Sequence, residues 1–269
     1  KDDYQFNVIS APGLNGVDHG TQVNSLVALA QNRTDCLAVI DLIGYNSSVN
    51  QVTTQASSYD TSYAAAYWPW LQTIDAVTGQ TVWAPASTYI PAVYAFTDAS
   101  ADPWFAPAGL VRGALGSVVR AERKLTSGNR DTLYEANVNP IATFPGSGVV
   151  VFGQKTLQAK PSALDRINVR RLLIRLKKFI ASSSRFLVFE QNDSSTRTRF
   201  LNIVNPFLES VQSNSGLSAF RVVMDDSNNT PDVIDRNQLI GQIFVQPARA
   251  VEFIVLDFVV QPTGASFPS

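Results

Sequence analysis

Residues 21–41, TQVNSLVALAQNRTDCLAVID, decide the fold of this chain. Thr21–Gln31 carries apolar residues at helical spacing, which predicts a short helix with one buried side. Leu37–Asp41 is a short apolar run after the polar end of that helix, and it predicts a buried strand. A further apolar segment, Asp3–Ile9, predicts a strand before the helix. Strand, loop, helix and strand in this order indicate a parallel α/β unit.

The composition limits the chemistry that the chain can carry out. Its 269 residues have a formal net charge of −1, so it lacks the basic surplus typical of nucleic-acid-binding domains. No apolar run reaches the roughly 18 residues that a membrane-spanning helix needs. The single cysteine, Cys36, excludes an internal disulfide, and the single histidine, His19, excludes most histidine-based metal sites. Charged residues are only 16%, which indicates extensive buried contacts between chains.

The order of the predicted elements divides the chain into two lobes. We predict a mixed α/β (α+β) fold in which each lobe is a mixed β-sheet flanked by helices. The first lobe is predicted to cover residues 1–145, with a hairpin near residues 64–83, and the second to cover residues 146–269. The boundary is placed near NPIATFPGSG, residues 139–148, because proline and glycine cluster there. Because the chain does not begin with methionine, we expect it to be the C-terminal part of a longer polypeptide.

The second lobe is predicted to alternate strands and helices. Its predicted elements are strand Val149–Phe152, a basic helix, strand Phe186–Glu190, helix Thr196–Ser213 with a kink at Pro206, strand Phe220–Met224 and strands at Gly241–Gln246 and Val251–Val260.

Three motifs resemble catalytic or ligand-binding signatures without completing them. DHGTQV and LAVIDLIG, which contain His19 and Asp41, resemble the histidine and aspartate motifs of subtilisin-like proteases, but their order is reversed and the serine turn is absent. GVVVFGQKT, residues 148–156, resembles a phosphate-binding loop, but Gln154 interrupts the glycine–lysine pair. Asp225–Asp235 is rich in oxygen ligands, but its spacing fits no calcium loop. We therefore predict no catalytic residue, cofactor or metal, and keep a hydrolase using His19 as an alternative.

The basic helix within SALDRINVRRLLIRLKKFI, residues 162–180, is the strongest candidate for an interaction surface. A helical projection places Val169, Leu172, Leu173, Leu176, Phe179 and Ile180 on one face, which we assign to the core. Ile167 and Ile174 lie on the opposite side, between two flanks of cations. An apolar strip with an arginine-rich rim is typical of a protein interface. The residues that we predict to form this interface are Arg166, Ile167, Arg170, Ile174 and Arg175.

Two alternatives remain for the basic helix. It could be a solvated face, or it could bind nucleic acid, in which case binding would depend strongly on salt. The acidic stretch Asp225–Asp235 contains no lysine or arginine and offers a complementary surface through Asp232 and Asp235. Two different patches that mate between identical chains generate rings or open helices.

The C-terminal strand Val251–Val260 is predicted to be shared between subunits. Its apolar residues on both faces include Val251, Phe253, Ile254, Val255, Leu256 and Phe258. A strand that is apolar on both faces belongs inside a covered sheet, and a strand near a chain end can be added to the sheet of another chain.

Several ordered motifs over most of residues 35–267 resemble one known family. These motifs are PWFAPAGLVRG, LYEANVNPI, VVVFGQKTL, SALDRINVRRLL, FLVFEQND and NNTPDVIDRNQLIGQIFVQPARAVEFIVLDFVV. They are similar to the C-terminal half of contractile tail sheath proteins of myophages, in particular the T-even-like branch.

The resemblance implies a sheath subunit that stacks as hexameric rings around a tail tube and contracts to drive the tube through the host envelope. It implies as partners other copies of the chain, the tail tube protein, and baseplate and tail terminator proteins, with no direct nucleic acid or membrane. It also implies a place in the virion after assembly in the bacterial cytoplasm, and no catalytic centre. The sheath of a related contractile injection machine, such as a bacteriocin or a secretion system, remains an alternative.

Overall fold

A computed structural model describes residues 4–252 of the chain. The strands are β1 Val8–Asn15, β2 Leu37–Asp41, β3 Ala64–Trp68, β4 Leu71–Ile74, β5 Thr81–Ala84, β6 Val118–Ala121, β7 Val138–Phe144, β8 Gly148–Val151, β9 Leu217–Val223 and β10 Gln242–Pro247. The α-helices are α1 Gly20–Arg33, α2 Val49–Ala56, α3 Ile90–Ser100, α4 Ser127–Glu135, α5 Ile167–Ser183, α6 Ser194–Ser213 and α7 Pro231–Asp235. Short 3₁₀ turns cover Ala86–Thr88, Ala163–Asp165 and Arg185–Leu187.

The largest sheet has five strands in the order β1-β2-β3-β7-β8. β1, β2, β3 and β7 run parallel, and β8 adds to β7 in the antiparallel direction. Every residue of β2 is buried, as expected for a central strand covered on both faces. The mixed α/β class is therefore confirmed, with α1 joining β1 to β2 as predicted. The first strand lies at Val8–Asn15 rather than at Asp3–Ile9.

A smaller sheet, in the order β5-β4-β6, extends from the first lobe. β4 and β5 form an antiparallel hairpin whose turn contains Asp75–Gly79. The Asp75 side chain accepts hydrogen bonds from the Val77 N–H and the Thr78 hydroxyl, which closes the turn. Helix α3 follows this hairpin, with Pro91 in its first turn, where a missing N–H is tolerated.

The β7–β8 hairpin lies where the boundary between lobes is predicted. Gly146 and Gly148 have φ angles of 79° and 71°, so this proline- and glycine-rich segment is a tight turn and not a linker. β7 pairs with both β3 and β8, so residues 148–151 belong to the sheet of the first lobe. The predicted division at residue 145 separates two paired strands.

The second lobe packs α5 and α6 against the antiparallel pair β9–β10. Helix α6 continues through Pro206 to Ser213. The predicted strand at Phe186–Glu190 is wrong, because the chain makes a 3₁₀ turn at Arg185–Leu187 and this segment pairs with no strand of residues 4–252. Among residues 4–252, no helix is both long and apolar enough to cross a membrane.

Candidate functional site

Helix α5 packs between two hydrophobic cores and contributes side chains to both. Ile167 and Ile174 pack into the cluster that includes the sheet residues Val39 and Ile141. On its other side, Leu172 and Leu176 belong to the cluster formed by α6 and β9. The helix therefore has two apolar faces, each covered by a different hydrophobic cluster.

The predicted exposed strip on this helix is wrong. Ile167 is fully buried, Ile174 is 3% exposed and the Arg170 between them is also 3% exposed. The physical reason is that the five-stranded sheet packs against this face of α5, whereas the helical projection leaves the face exposed to solvent. Ile167, Arg170 and Ile174 are therefore part of the subunit's own core.

Arg170 connects the helix to the loop before β3. Its Nε donates a hydrogen bond of 3.0 Å to the Ser62 carbonyl, and its Nη2 donates to the Ser62 hydroxyl. The guanidinium lies 4.0 Å from the centre of the Tyr63 ring, a cation–π contact. Burial lowers the pKa of Arg170, and Tyr63 opposes this change. The charge is thus held by backbone, hydroxyl and ring, and no carboxylate within residues 4–252 pairs with it.

Arg171 fastens the same helix to α3. Its Nη2 lies 2.5 Å from Asp98 Oδ1, and its guanidinium lies 4.6 Å from the centre of the Tyr94 ring. The Tyr94 hydroxyl is 2.7 Å from the Tyr67 hydroxyl, and burial raises the pKa of Tyr94 to about 12. The spacing of residues in the sequence gives no signal for this role of Arg171.

Arg166 lies between α5 and the C-terminal segment of the described chain. Its Nε is 2.7 Å from Glu252 Oε1, and its Nη1 is 3.0 Å from Asp165 Oδ1. The Gln154 side chain also donates a hydrogen bond to Glu252, at 3.0 Å. Arg166 is half-buried and holds the chain just before residues 253–269.

Only part of the predicted charged interface is exposed. Arg175 and Lys177 point away from both cores on α5, and Asp232 and Asp235 are exposed on α7. No ion pair within residues 4–252 joins these two patches. The structure therefore leaves exposed basic side chains on α5 and an acidic patch on α7 of the same subunit without bringing them together.

The predicted C-terminal strand, Val251–Val260, falls almost wholly outside the described residues. Val251 is 81% exposed, and the predicted interface residues Phe253, Ile254, Val255, Leu256 and Phe258 lie outside the described residues.

The catalytic-like motifs are separate structural features. The His19 Nδ1 accepts a hydrogen bond from the Asn15 N–H at 3.4 Å, whereas Asp41 accepts from the Ser87 hydroxyl at 2.5 Å. No hydrogen bond within residues 4–252 joins His19 to Asp41 or Ser87. Burial raises the pKa of Asp41 to about 6, and the Ser87 hydrogen bonds oppose this change. Asp41 therefore fixes the turn before α3 and does not orient a catalytic base.

The other two motifs are also accounted for by local structure. Lys155 donates its Nζ hydrogen bond to the Tyr134 carbonyl at 2.7 Å, next to a strand and not at an open phosphate cradle. In the acidic stretch, Asp225 accepts from Ser227, and Asp226 pairs with Arg197 at 2.7 Å. No cluster of metal-ligating side chains occurs in the part of the chain that the structure describes.

The fold of this chain is similar to that of sheath proteins of contractile injection systems. The sheath of an extracellular contractile injection system (PVC) in its contracted state superposes with a TM-score of 0.83 and 26% identity, over 95% of this chain and 71% of that chain. The contracted helical sheath of the anti-feeding prophage (AFP) superposes with a TM-score of 0.81 and 22% identity, over 96% of this chain and 71% of that one.

The family follows from the sequence matches. The model of the phage tail sheath protein central domain matches residues 2–157, and that of the phage tail sheath C-terminal domain matches residues 159–261. The tail sheath protein of Vibrio phage KVP40 is 36% identical over 89% of this chain, and that of Enterobacteria phage T4 is 33% identical over 90%. This chain spans 36% and 39% of those two relatives. The chain belongs to the phage tail sheath protein family, as the resemblance of its motifs predicted.

Proposed function

We propose that this chain is the assembly-forming part of a contractile phage tail sheath subunit. The observation that carries the proposal is the identity of 33–36% to two phage tail sheath proteins over about nine-tenths of the chain. Copies of the subunit would stack as hexameric rings around a tail tube, and the lattice would shorten to drive the tube through the host envelope. Its partners would be further copies, the tail tube protein, and baseplate and tail terminator proteins.

The contacts of α5 within the subunit support a contraction in which each subunit moves as a rigid body. Arg170 and Arg171 interact within the subunit: Arg170 joins α5 to Ser62, and Arg171 joins α5 to Asp98 on α3. A subunit held in this way can move as one body while its surface contacts exchange partners, which makes a lattice bistable. Exposed Arg175 on α5 and the acidic patch of Asp232 and Asp235 on α7 are the charged surfaces that we assign to contacts between copies.

The C-terminal segment would keep the lattice connected during that movement. Residues 251–260 are apolar on both faces, and we propose that they add a strand to the sheet of a neighbouring subunit. Arg166 and Glu252 would hold the start of this segment on its own subunit.

The role that we propose is structural and not enzymatic. The subunit would be a component of the virion, assembled in the cytoplasm of the bacterial host, and would bind neither nucleic acid nor a membrane directly. The sheath of an extracellular injection system is the second candidate, because the PVC and AFP sheaths share the fold. The identity to phage proteins is higher, which favours the phage.

The proposal is tested by expressing the natural full-length polypeptide without other phage proteins. Sedimentation and negative-stain electron microscopy should show long hollow tubes. Dispersed subunits at every protein concentration and salt concentration tested would count against a sheath function.

A further inference from the structure

A cavity of about 670 Å³ lies between the first sheet and the segment that leads to Glu252. Its aromatic wall contains Trp104, Phe105 and Phe152, and Val251 lies at its edge. Phe152 is 44% exposed and Val251 is 81% exposed, so the apolar lining continues to the surface. A volume in the range of roughly 300–1,000 Å³ is typical of pockets that enclose a ligand, which here leaves room for several side chains.

The polar groups of this cavity define what would fit. Arg112, Arg130 and Arg249 line it together with two acids, Asp131 and Glu252. Glu252 is already paired with Arg166, so the lining has a surplus of positive charge. The cavity therefore suits an apolar group that carries a carboxylate.

Two buried amides in the wall add a further requirement. Gln154 and Asn168 are 3% and 4% exposed, and their side-chain nitrogens donate to Glu252 and to the Trp104 carbonyl. Their oxygens, Oε1 and Oδ1, have no hydrogen-bond partner within residues 4–252. Because buried acceptors are normally satisfied, the occupant should bring hydrogen-bond donors such as peptide N–H groups.

The turn between α5 and α6 carries the matching groups. Phe186, Val188 and Phe189 are 48%, 62% and 103% exposed, so three apolar side chains lie in solvent on one short segment. Phe189 also has a φ of 74°, a conformation that is unfavourable for a bulky residue. Glu190 follows directly, and within residues 4–252 its ion pair is a long one of 3.9 Å with exposed Arg199. This segment thus supplies aromatic rings, a carboxylate and peptide N–H groups together.

The projecting turn cannot fill the cavity of its own subunit. Asn168, in the cavity wall, lies in the first turn of α5, and the projecting turn begins after the last residue of that helix. A helix of 17 residues is about 25 Å long, at 1.5 Å per residue. The cavity and the turn therefore lie at opposite ends of one helix, and a contact between them joins two different copies.

We propose that the turn at residues 186–190 of one subunit inserts into this cavity of a second copy of the chain. Phe189 enters the aromatic wall, and Glu190 faces the arginines. The contact uses two different surfaces, so it is heterologous and extends from copy to copy without closing between two partners. It rests on the proposed sheath function and specifies one contact of that assembly.

Cross-linking between two exposed positions tests this contact directly. Phe189→Cys and Val251→Cys are introduced separately into the natural full-length polypeptide, in which every other accessible cysteine is replaced by serine; Cys36 is fully buried. When the two variants are mixed, assembled and treated with a short bismaleimide, they should give a heterodimer. Neither variant alone should give a product, and the double variant should give a ladder of multimers. Val77→Cys with Val251→Cys is the matched control, because Val77 is 92% exposed on the β4–β5 turn, and it should give no product.

A second variant measures how much the contact contributes. Phe189→Asp should fold normally, because aspartate tolerates a positive φ better than phenylalanine does. It should raise the concentration needed for assembly at least about tenfold, as expected when a buried aromatic anchor is lost, whereas Val77→Asp should leave it within about twofold.

The possible failures are distinguishable. Wild-type tubes with no cross-link between positions 189 and 251, or a homodimer from Phe189→Cys alone, would overturn this contact and leave the sheath function standing. The absence of both wild-type tubes and cross-links would overturn the contact and the proposed function together.

Discussion

Replacing Ile174 by alanine tests whether this residue of α5 belongs to the core of the subunit or to its surface. Ile174 is 3% exposed and packs against the five-stranded sheet. The substitution removes about three buried carbon groups at roughly 0.8 kcal/mol each, and the cavity that remains adds to this cost. We therefore expect Ile174→Ala to lower the free energy of unfolding by about 3 kcal/mol, measured by urea unfolding of the unassembled full-length subunit.

Val77→Ala is the matched control for this experiment. Val77 is 92% exposed, so its truncation should change the free energy of unfolding by less than about 0.5 kcal/mol. If Ile174→Ala had an effect as small as this control and still prevented assembly, Ile174 would be an interface residue and our description of α5 would be refuted.

Three further predictions concern pH, surface charge and the C-terminal segment. Burial raises the pKa of Asp41 to about 6, so the folded subunit retains a proton that the unfolded chain loses near pH 4. The free energy of unfolding should therefore fall by up to about 3 kcal/mol between about pH 4 and pH 6, and Asp41→Asn should remove this dependence in urea unfolding. Arg175→Glu should weaken assembly in a sedimentation assay, and added Asp232→Lys and Asp235→Lys changes should partly restore it, at under about 1 kcal/mol per exposed pair. Truncation after Glu252 should abolish tubes in electron microscopy but leave soluble subunits, because the Arg166 ion pair is retained.

Each of these predictions has a result that contradicts it. An unchanged pH dependence in Asp41→Asn would mean that other groups cause it. Normal assembly of Arg175→Glu would leave that part of α5 as a solvated face. Normal tubes from the truncated protein would exclude strand exchange by residues 253–269.

The sequence predicted elements well where the deciding contacts are local. The α1–β2 unit follows from apolar spacing within about twenty residues, and both elements lie where the pattern placed them. The β4–β5 hairpin follows from a turn that Asp75 closes with its own side chain. The family itself could be predicted, because its motifs extend over most of the chain.

The errors arise where distant parts of the chain meet. A helical projection of α5 shows two apolar faces but cannot show that the five-stranded sheet covers the second one. The arginines also suggest an exposed face, although Arg170 is buried and its guanidinium donates a hydrogen bond to the Ser62 carbonyl. The apolar run at Phe186–Glu190 suits a strand, yet it is an exposed turn, and periodicity cannot distinguish the two in so short a segment.

The central prediction is that this chain builds a helical sheath. Helical reconstruction by electron cryomicroscopy of tubes formed by the full-length protein tests that claim directly. We predict a hollow tube of stacked six-membered rings in which this chain is the repeating unit, with the 186–190 turn against the cavity of a neighbouring copy. A map of closed dimers or of dispersed subunits, or tubes in which this chain makes no contact between copies, would contradict it.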